Sequence, residues 1–387
     1  MDIARPAYRP VWPAIHRSPL QILCLLVALV LAFALRSNVL SAIYLMLAFA
    51  AVLVSLPLLG SMSVRERNVF VVLVAALTAM LPISALRSET AVAHYLGSLA
   101  SLSLAYVVTR DLKAYRAASR WLLVGAQTAV FAYLSRSGLL GFPLESMLPD
   151  SSSNGVTSYL IVLQANYTLV HYLVARRPTY LTVIATLAIC IVGYGRGSVL
   201  SAAALLTLCV VVGLRTGGQV GRVLKLVGLV IVLGVLWVLY GVVIAALVVE
   251  NTKLGSGLYD LHRYAILTDY LGRLDAWTFW TGADYAGTSI KSEYNGNPHN
   301  SFIRAHHIFG LPYLLVVLAM PVYLARRALP WSMYAVAAFV WLVVLFRAAT
   351  EPVILPTIFD LFYFAGCFAM GRTLPARFPA RTTTVAA

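Results

Sequence analysis

The sequence predicts an all-α polytopic integral membrane protein: one membrane domain over residues 1–387, with about twelve transmembrane helices and one large outer loop over residues 250–300. Hydrophobic residues make up 61% of the chain and charged residues 11%, and the mean hydropathy of +0.85 exceeds the usual range of soluble proteins. Apolar runs recur at the length of about twenty residues that a spanning helix needs. Basic residues gather in every second loop.

The predicted spans begin after Arg5, Arg9 and Arg17, which precede an apolar run without a small-residue cleavage site. We therefore expect a retained first helix and not a cleaved signal peptide. The predicted helices lie near 20–35, 39–59, 68–86, 91–109, 120–138, 156–175, 180–195, 198–214, 223–249, 308–325, 331–349 and 353–371.

Charge in the loops predicts the orientation. The basic loops near 5–17, 65–67, 110–120, 176–177, 215–225, 326–327 and 372–381 alternate with loops that hold fewer basic residues. The positive-inside rule places the first set, and with it both termini, in the cytoplasm. Because this topology explains most of the formal charge of +15, no nucleic-acid partner is needed, and the expected surroundings are membrane lipid.

Several function classes lack their sequence signatures. The four cysteines, Cys24, Cys190, Cys209 and Cys367, stand alone inside apolar spans, so neither a disulfide framework nor a metal spacing is indicated. There is no phosphate-binding Walker loop, no Gly-x-Ser-x-Gly elbow and no dinucleotide fingerprint. We expect no metal and no cofactor.

The segment Asn297–Ile303 closes the outer loop and opens an apolar span. Asn297 is a good helix N-cap and Pro298 suits the first helical position, which would place His299 and Asn300 in the first turn, where a helix start favours anions. An exposed imidazole beside an ordinary helix cap is the alternative. His306 and His307 are expected to face neighbouring helices or the interface.

Arg196 lies in the sequence Gly-Tyr-Gly-Arg-Gly-Ser over residues 193–198, between two apolar spans with almost no loop. The glycines permit a tight turn, and Ser198 is predicted to cap the next helix. A guanidinium at the outer boundary suits a phosphate or diphosphate. The alternative is an arginine that extends to the interface from an ordinary hairpin.

Other outer charges have structural explanations. Arg263 and Arg273 lie near Asp260, Asp269 and Asp275, so local surface ion pairs are the default expectation.

The charged side chains near the ends of the late spans are expected to have polar or charged partners. Arg347 and Glu351 are four residues apart, which favours a structural pair, and Arg136 marks another outer helix end. Asp360 falls inside the last predicted span and needs a partner that the sequence does not identify.

The order of three features resembles the O-antigen polymerase and O-antigen ligase superfamily of bacteria. They are a Gly-Arg-Gly turn around Arg196, an arginine early in the large loop at Arg263, and the pair His299-Asn300 before a late span. The likeness runs from about residue 180 to 310 and differs at Gly195, where many members have serine. The front half matches only in being hydrophobic.

The resemblance implies a GT-C-like, metal-independent glycosyltransferase of the bacterial inner membrane. Its donor would be an undecaprenyl-diphosphate-linked oligosaccharide at the periplasmic face. Arg196 and Arg263 would bind the diphosphate, His299 would act as general base, and Asn300 would orient the sugar or cap the helix. Residues with possible secondary roles are Arg273, Arg136, Arg347 and Glu351.

Within the superfamily we favour a polymerase that joins repeat units of an exopolysaccharide, capsule or O-antigen, working beside a chain-length regulator and a flippase. The close second is an O-antigen ligase that transfers the glycan to lipid A-core. A transporter or flippase of lipid-linked sugars is the rival of another class. Such proteins usually contain repeats and broken helices in both halves, which this sequence does not display.

Overall fold

A computed structural model describes residues 18–35, 62–137, 144–148, 152–193, 195–215, 261–326 and 328–372, with isolated positions at 46, 50 and 53. This part of the chain is 80% helical and contains no strand. The helices are α1 (Pro19–Leu35), α2 (Val64–Arg87), α3 (Ala91–Val108), α4 (Leu112–Ser137), α5 (Ser153–Ala175), α6 (Tyr180–Val192), α7 (Arg196–Arg215), α8 (Leu261–Leu271), α9 (Thr278–Thr281), α10 (Ser289–Ser292), α11 (Ser301–Ala325), α12 (Trp331–Thr350) and α13 (Asp360–Arg372).

Five described helices are long and apolar enough to cross a membrane: α2, α3, α7, α11 and α12. α1 and α6 are shorter apolar helices. The prediction of an all-helical membrane protein is confirmed at this level. The predicted spans near 39–59 and 223–249, and residues 250–260 of the outer loop, lie outside the described residues.

The predicted start of the last span, at residue 353, is wrong. Residues 353–359 are irregular, and α13 begins only at Asp360. Pro352 and Pro356 lack the backbone N–H that an earlier helix would need. The partner that the sequence left open for Asp360 is the backbone N–H of Leu355, which donates to its Oδ1 at 2.6 Å.

Helix α13 occupies the centre of the bundle, and every residue from 360 to 370 is buried. It packs against α3, α5 and α11, while α2 packs on α11 and α12 packs on α5 and α7. Arg87, which ends α2, donates to the carbonyl of Thr281 at 2.7 Å, so the outer segment lies over this end of the bundle. We call it the loop end, and the end that holds Glu66 and Arg372 the opposite end.

The outer segment 261–300 has a small core of its own. Ile266, Tyr270, Tyr285 and Ile290 cluster there and pack on Ile303 of α11. Helix α8, over Leu261–Leu271, contributes the buried residues Ile266 and Tyr270 to this cluster. The segment is therefore attached to α11 by apolar contact.

Two glycines let the outer segment approach α11 closely. Gly282 and Gly310 both have positive φ, of 89° and 69°. A Cβ at Gly282 would lie 2.0 Å from the carbonyl oxygen of His306, and one at Gly310 would lie 2.4 Å from that of Trp280. Neither position accommodates a side chain without backbone movement.

The two adjacent histidines of α11 anchor the same segment, which confirms that they face neighbouring elements. His306 Nε2 donates to the carbonyl of Phe279 at 2.8 Å, so its Nδ1 accepts from the Tyr270 hydroxyl, also at 2.8 Å. His307 Nδ1 donates to the carbonyl of Ala283 at 2.7 Å. The ring of His307 also stacks on Tyr285, with centroids 3.8 Å apart.

Candidate functional site

The start of α11 differs from the sequence prediction. Asn300, and not Asn297, is the N-cap, because its Oδ1 accepts from the backbone N–H groups of Phe302 at 2.8 Å and Ile303 at 3.1 Å. The predicted cap at Asn297 with Pro298 in the first turn is therefore wrong. His299 precedes the helix and does not lie in its first turn.

His299 adopts a left-handed backbone conformation, with φ of 47°. Asn297 Oδ1 accepts from the backbone N–H of His299 at 3.0 Å and closes a local turn around it. This conformation costs a residue with a side chain on the order of 1 kcal/mol, so the surroundings must hold it in place. The turn directs the imidazole away from the helix axis, toward α12.

Two polar side chains join the start of α11 to the end of α12. Asn300 Nδ2 donates to the carbonyl of Ala349 at 3.0 Å. Ser301 Oγ donates to the carbonyl of Glu351 at 2.9 Å and accepts from the N–H of Ile354 at 3.3 Å. Asn300 thus has the capping role, one of the two foreseen for it, and these bonds bring Glu351 beside His299.

Glu351 is the central charge of the loop end. Its Oε1 lies 2.7 Å from Arg263 Nη2, and its Oε2 lies 3.6 Å from His299 Nδ1. Burial alone would raise the pKa of the Glu351 carboxyl, but the contact with His299 and the positive charges of Arg347 and Arg263 hold it below its ordinary value. An ionised carboxylate therefore faces the imidazole and fixes its orientation.

The predicted pair of Arg347 with Glu351 is present as a charge interaction but not as a direct ion pair. The guanidinium of Arg347 is buried and donates to Thr350 and to Ser158 of α5, while Glu351 contacts Arg263 and His299 directly. Helical spacing brings the two residues near each other, but residues from distant segments make the direct contacts: Ser158 with Arg347, and Arg263 and His299 with Glu351.

The expected local pairs of the outer loop are also absent among the described residues. Arg273 donates to the carbonyls of Ala286 and Gly287 at 2.7 and 2.5 Å. Asp269 accepts from Ser289, and Asp275 caps the turn at Thr278. The carboxylate that meets Arg263 lies 88 residues along the chain, and Asp260 lies outside the described residues.

The glycine-rich turn before α7 is packed against α5. A Cβ at Gly195 would lie 2.5 Å from Asn154 Oδ1, and one at Gly197 would lie 2.6 Å from Arg347 Nη1. A side chain at Gly195 would therefore require the Asn154 side chain to move. The prediction that Ser198 caps α7 is wrong, because the helix already begins at Arg196. The Ser198 hydroxyl instead forms a hydrogen bond with the Thr157 hydroxyl at 2.7 Å.

A cavity of about 350 Å³, here the small cavity, brings the four principal predicted residues together: Arg196, Arg263, His299 and Asn300 all line it. No aspartate or glutamate appears among its described lining residues. Its remaining wall includes the partly exposed apolar side chains of Leu200, Leu267 and Phe346. The small cavity is therefore cationic on one side and apolar on another.

A second cavity of about 1090 Å³, the large cavity, opens on the other side of His299. It is formed by the facing ends of α2 and α3, the outer segment and the irregular stretch after α12. Its described charged lining residues are three basic ones, Arg87, Lys291 and Arg304, and three acidic ones, Glu89, Asp284 and Glu351. Among the residues that the structure describes, Pro298 and His299 are the two that line both cavities.

The remaining predicted residues lie elsewhere. Arg136 is exposed in the last turn of α4, and neither it nor Arg273 lines either cavity. Sequence reasoning missed His94 and Arg304, which line the large cavity. A signal existed for Arg304, since it is a charge one turn inside an apolar helix.

No protein-family model, no curated protein and no solved structure matches this chain. Within the described ranges, no group of three or more His, Cys, Asp or Glu side chains is placed to hold a metal ion. The two cavities at the loop end are therefore the candidate sites.

Proposed function

We propose that this protein is a membrane glycosyltransferase that joins oligosaccharide repeat units carried on undecaprenyl diphosphate, that is, a polysaccharide polymerase. The observation that carries the proposal is the small cavity. It gathers Arg196 and Arg263, 67 positions apart by their numbering, beside His299. Two guanidinium groups without a lining carboxylate suit a diphosphate. The exposed apolar wall suits the first part of a polyprenyl chain.

The chemistry follows from these placements. The acceptor hydroxyl attacks the anomeric carbon of the donor, and the bond between that carbon and the diphosphate oxygen breaks. Negative charge develops on the leaving diphosphate, where Arg196 and Arg263 neutralise it. His299 takes the proton from the acceptor hydroxyl through Nε2, because its Nδ1 faces Glu351. The arginines and the imidazole suffice for this route, so the proposal involves no metal or cofactor.

Glu351 acts as a positioning residue. Its buried carboxylate contacts both the imidazole of His299 and the guanidinium of Arg263. It also stabilises the imidazolium that forms when His299 accepts a proton, as the acidic member of a catalytic triad does. A diphosphate that enters the small cavity competes with this carboxylate for Arg263.

The proposal includes the location of the site. A GT-C-like arrangement of about twelve spans in the bacterial inner membrane, with both termini in the cytoplasm, puts the loop end in the periplasm. Single cysteines in the outer segment, in a background without the native cysteines, should then react with an impermeant thiol reagent from the periplasm. A cysteine at Arg116 should not, and the reverse pattern would contradict the orientation.

The activity itself is tested with purified protein in proteoliposomes supplied with lipid-linked repeat units. The polymerase should lengthen the glycan without nucleotide and in the presence of EDTA. Product that appears only when lipid A-core is added would identify a ligase instead. Protein that moves the lipid-linked sugar across the bilayer but never lengthens it would refute the enzymatic proposal and favour the transporter.

A further inference from the structure

The two cavities differ in the chemistry that they offer a ligand. The small cavity carries Arg196 and Arg263 and no described acidic lining residue, so it suits an anion. The charged side chains of the large cavity balance, with three of each sign. A strongly anionic ligand gains little from a balanced lining, since the carboxylates oppose it.

The large cavity suits a polyhydroxylated ligand. Its wall offers donors and acceptors side by side, including the amides of Asn295 and Asn297 and the hydroxyls of Ser88 and Thr90. Sugar hydroxyls both donate and accept hydrogen bonds, so they need such a mixture. The volume of about 1090 Å³ lies at the upper end of the range for ligand cavities, which leaves room for several sugar rings.

Buried polar atoms without partners point to the same cavity. Among the described residues, Arg87 Nη1 and the Tyr285 hydroxyl are buried without a hydrogen-bond partner, and both residues line the large cavity. Buried polar groups are nearly always hydrogen-bonded, so unpaired ones beside a cavity are consistent with a polar ligand there.

From these observations we infer that the large cavity is the binding site for the acceptor oligosaccharide, while the small cavity takes the donor diphosphate, and that the two ligands meet only at His299. The inference rests on the proposed function and specifies its substrates. The acceptor enters from the side of α2 and α3 and presents its hydroxyl to Nε2 of His299. The lipid anchor of the acceptor lies outside the large cavity.

The test uses two bulky substitutions at wall residues that have no part in the chemistry. Ala93 lines the large cavity and Leu200 lines the small one, and both are exposed on helices. Ala93→Trp should raise the KM for an acceptor oligosaccharide by about tenfold or more and leave the donor KM unchanged. Leu200→Trp should have the opposite effect. If Ala93→Trp raises the donor KM instead, or changes neither constant, the division of the cavities is wrong.

A binding measurement separates this inference from the proposed function. The probes are farnesyl diphosphate and the oligosaccharide repeat released from the organism's own polysaccharide, each titrated into purified protein without the second substrate. Ala93→Trp should weaken only the oligosaccharide, and Leu200→Trp only farnesyl diphosphate. If this pattern holds but wild-type protein never transfers sugar, the binding assignment stands and the transferase proposal fails. If sugar is transferred but both probes respond to the same substitution, the cavity assignment fails alone.

Discussion

Both ends of the helical bundle hold a buried glutamate paired with a distant arginine, yet the two pairs differ in their surroundings. At the opposite end, Arg372 Nε lies 2.6 Å from Glu66 Oε1. Glu66 also accepts from the backbone N–H of Ser63 at 2.9 Å, and Arg372 donates to Tyr106 and Thr109 at 3.0 Å. Neither Glu66 nor Arg372 lines either cavity.

At the loop end, Glu351 shares its charge between Arg263 and His299. Arg263 and His299 face the small cavity, while His299 and Glu351 face the large one. A buried ion pair is weak evidence of function by itself, since breaking one costs several kcal/mol wherever it lies. The difference lies in the cavities, because Glu351 and Arg263 each line one of them and Glu66 and Arg372 line neither. Variants at the two ends should therefore fail in different ways.

The largest contrast is expected between arginines. Arg196→Ala and Arg263→Ala should each lower the rate of glycan transfer by about a hundredfold or more, because each removes a charge-assisted contact to the leaving diphosphate. Lysine at either position should restore only part of the rate, since it lacks the planar fork. The measurement is turnover per folded molecule in proteoliposomes.

Arg372→Ala is the matched control for these variants. It should reduce the yield of folded protein but leave turnover per folded molecule near that of the wild type, because its contacts are structural. Near-normal transfer by both Ala variants at the loop end would return Arg196 and Arg263 to a structural role.

The glutamates give the second contrast. Glu351→Gln should lower transfer by about tenfold or more, because the imidazole loses the carboxylate that orients it and stabilises its protonated form. Glu66→Gln should lower thermal stability without such a loss of rate. A Glu351→Gln variant that matches Glu66→Gln in both measurements would remove the distinction between the two ends.

The pH dependence of Glu351 has a definite sign. Because the folded protein holds its pKa below the ordinary value, its ionisation contributes stability above the normal glutamate range of about 4.3 and loses that contribution as the pH falls below it. Thermal unfolding of the wild type and of Glu351→Gln from pH 8 to 4 measures this contribution, because the variant lacks the carboxylate. A wild-type stability that does not fall relative to the variant on acidification would contradict the sign.

Gly195→Ser tests the packing that positions Arg196. The new Cβ would lie 2.5 Å from Asn154 Oδ1, so we expect a loss of about 1–3 kcal/mol in the free energy of unfolding, together with slower transfer. Asn154→Ala in the same chain should recover much of the loss, because it removes the clashing atom. Gly125→Ser, where no atom lies within 4 Å, is the neutral control. If Gly195→Ser, the double variant and Gly125→Ser were equally stable, the turn would not be tightly packed.

The smallest effect is expected for Asn300. Asn300→Ser keeps a side-chain oxygen at the N-cap but loses the bond to Ala349, whereas Asn300→Ala loses both. The alanine variant should be less stable by about 1 kcal/mol, and the serine variant by less. Thermal unfolding in detergent ranks the two. A severe loss of transfer without loss of stability would instead assign Asn300 a direct contact with the sugar.

The sequence indicated the helical class, because hydropathy is a local property, and the resemblance in the order of three motifs singled out the residues that line the small cavity. It misplaced the start of α11 because Asn297 and Asn300 are equally good caps. The choice depends on the contact of Asn300 with Ala349, 49 residues away. The sequence likewise paired Glu351 with Arg347, because helical spacing can be read from the sequence. The contact of the distant Arg263 with Glu351 cannot. The large cavity escaped prediction because its walls come from segments that only the fold brings together.

The central claim is that His299 performs transfer chemistry at the junction of the two cavities. The direct measurement is glycan transfer by purified His299→Ala protein supplied with lipid-linked repeat units, with binding of the lipid-linked donor measured on the same sample. We predict that donor binding persists while the transfer rate falls by about a hundredfold to ten-thousandfold, the usual contribution of a general base. A His299→Ala protein that transfers glycan at close to the wild-type rate would contradict the claim.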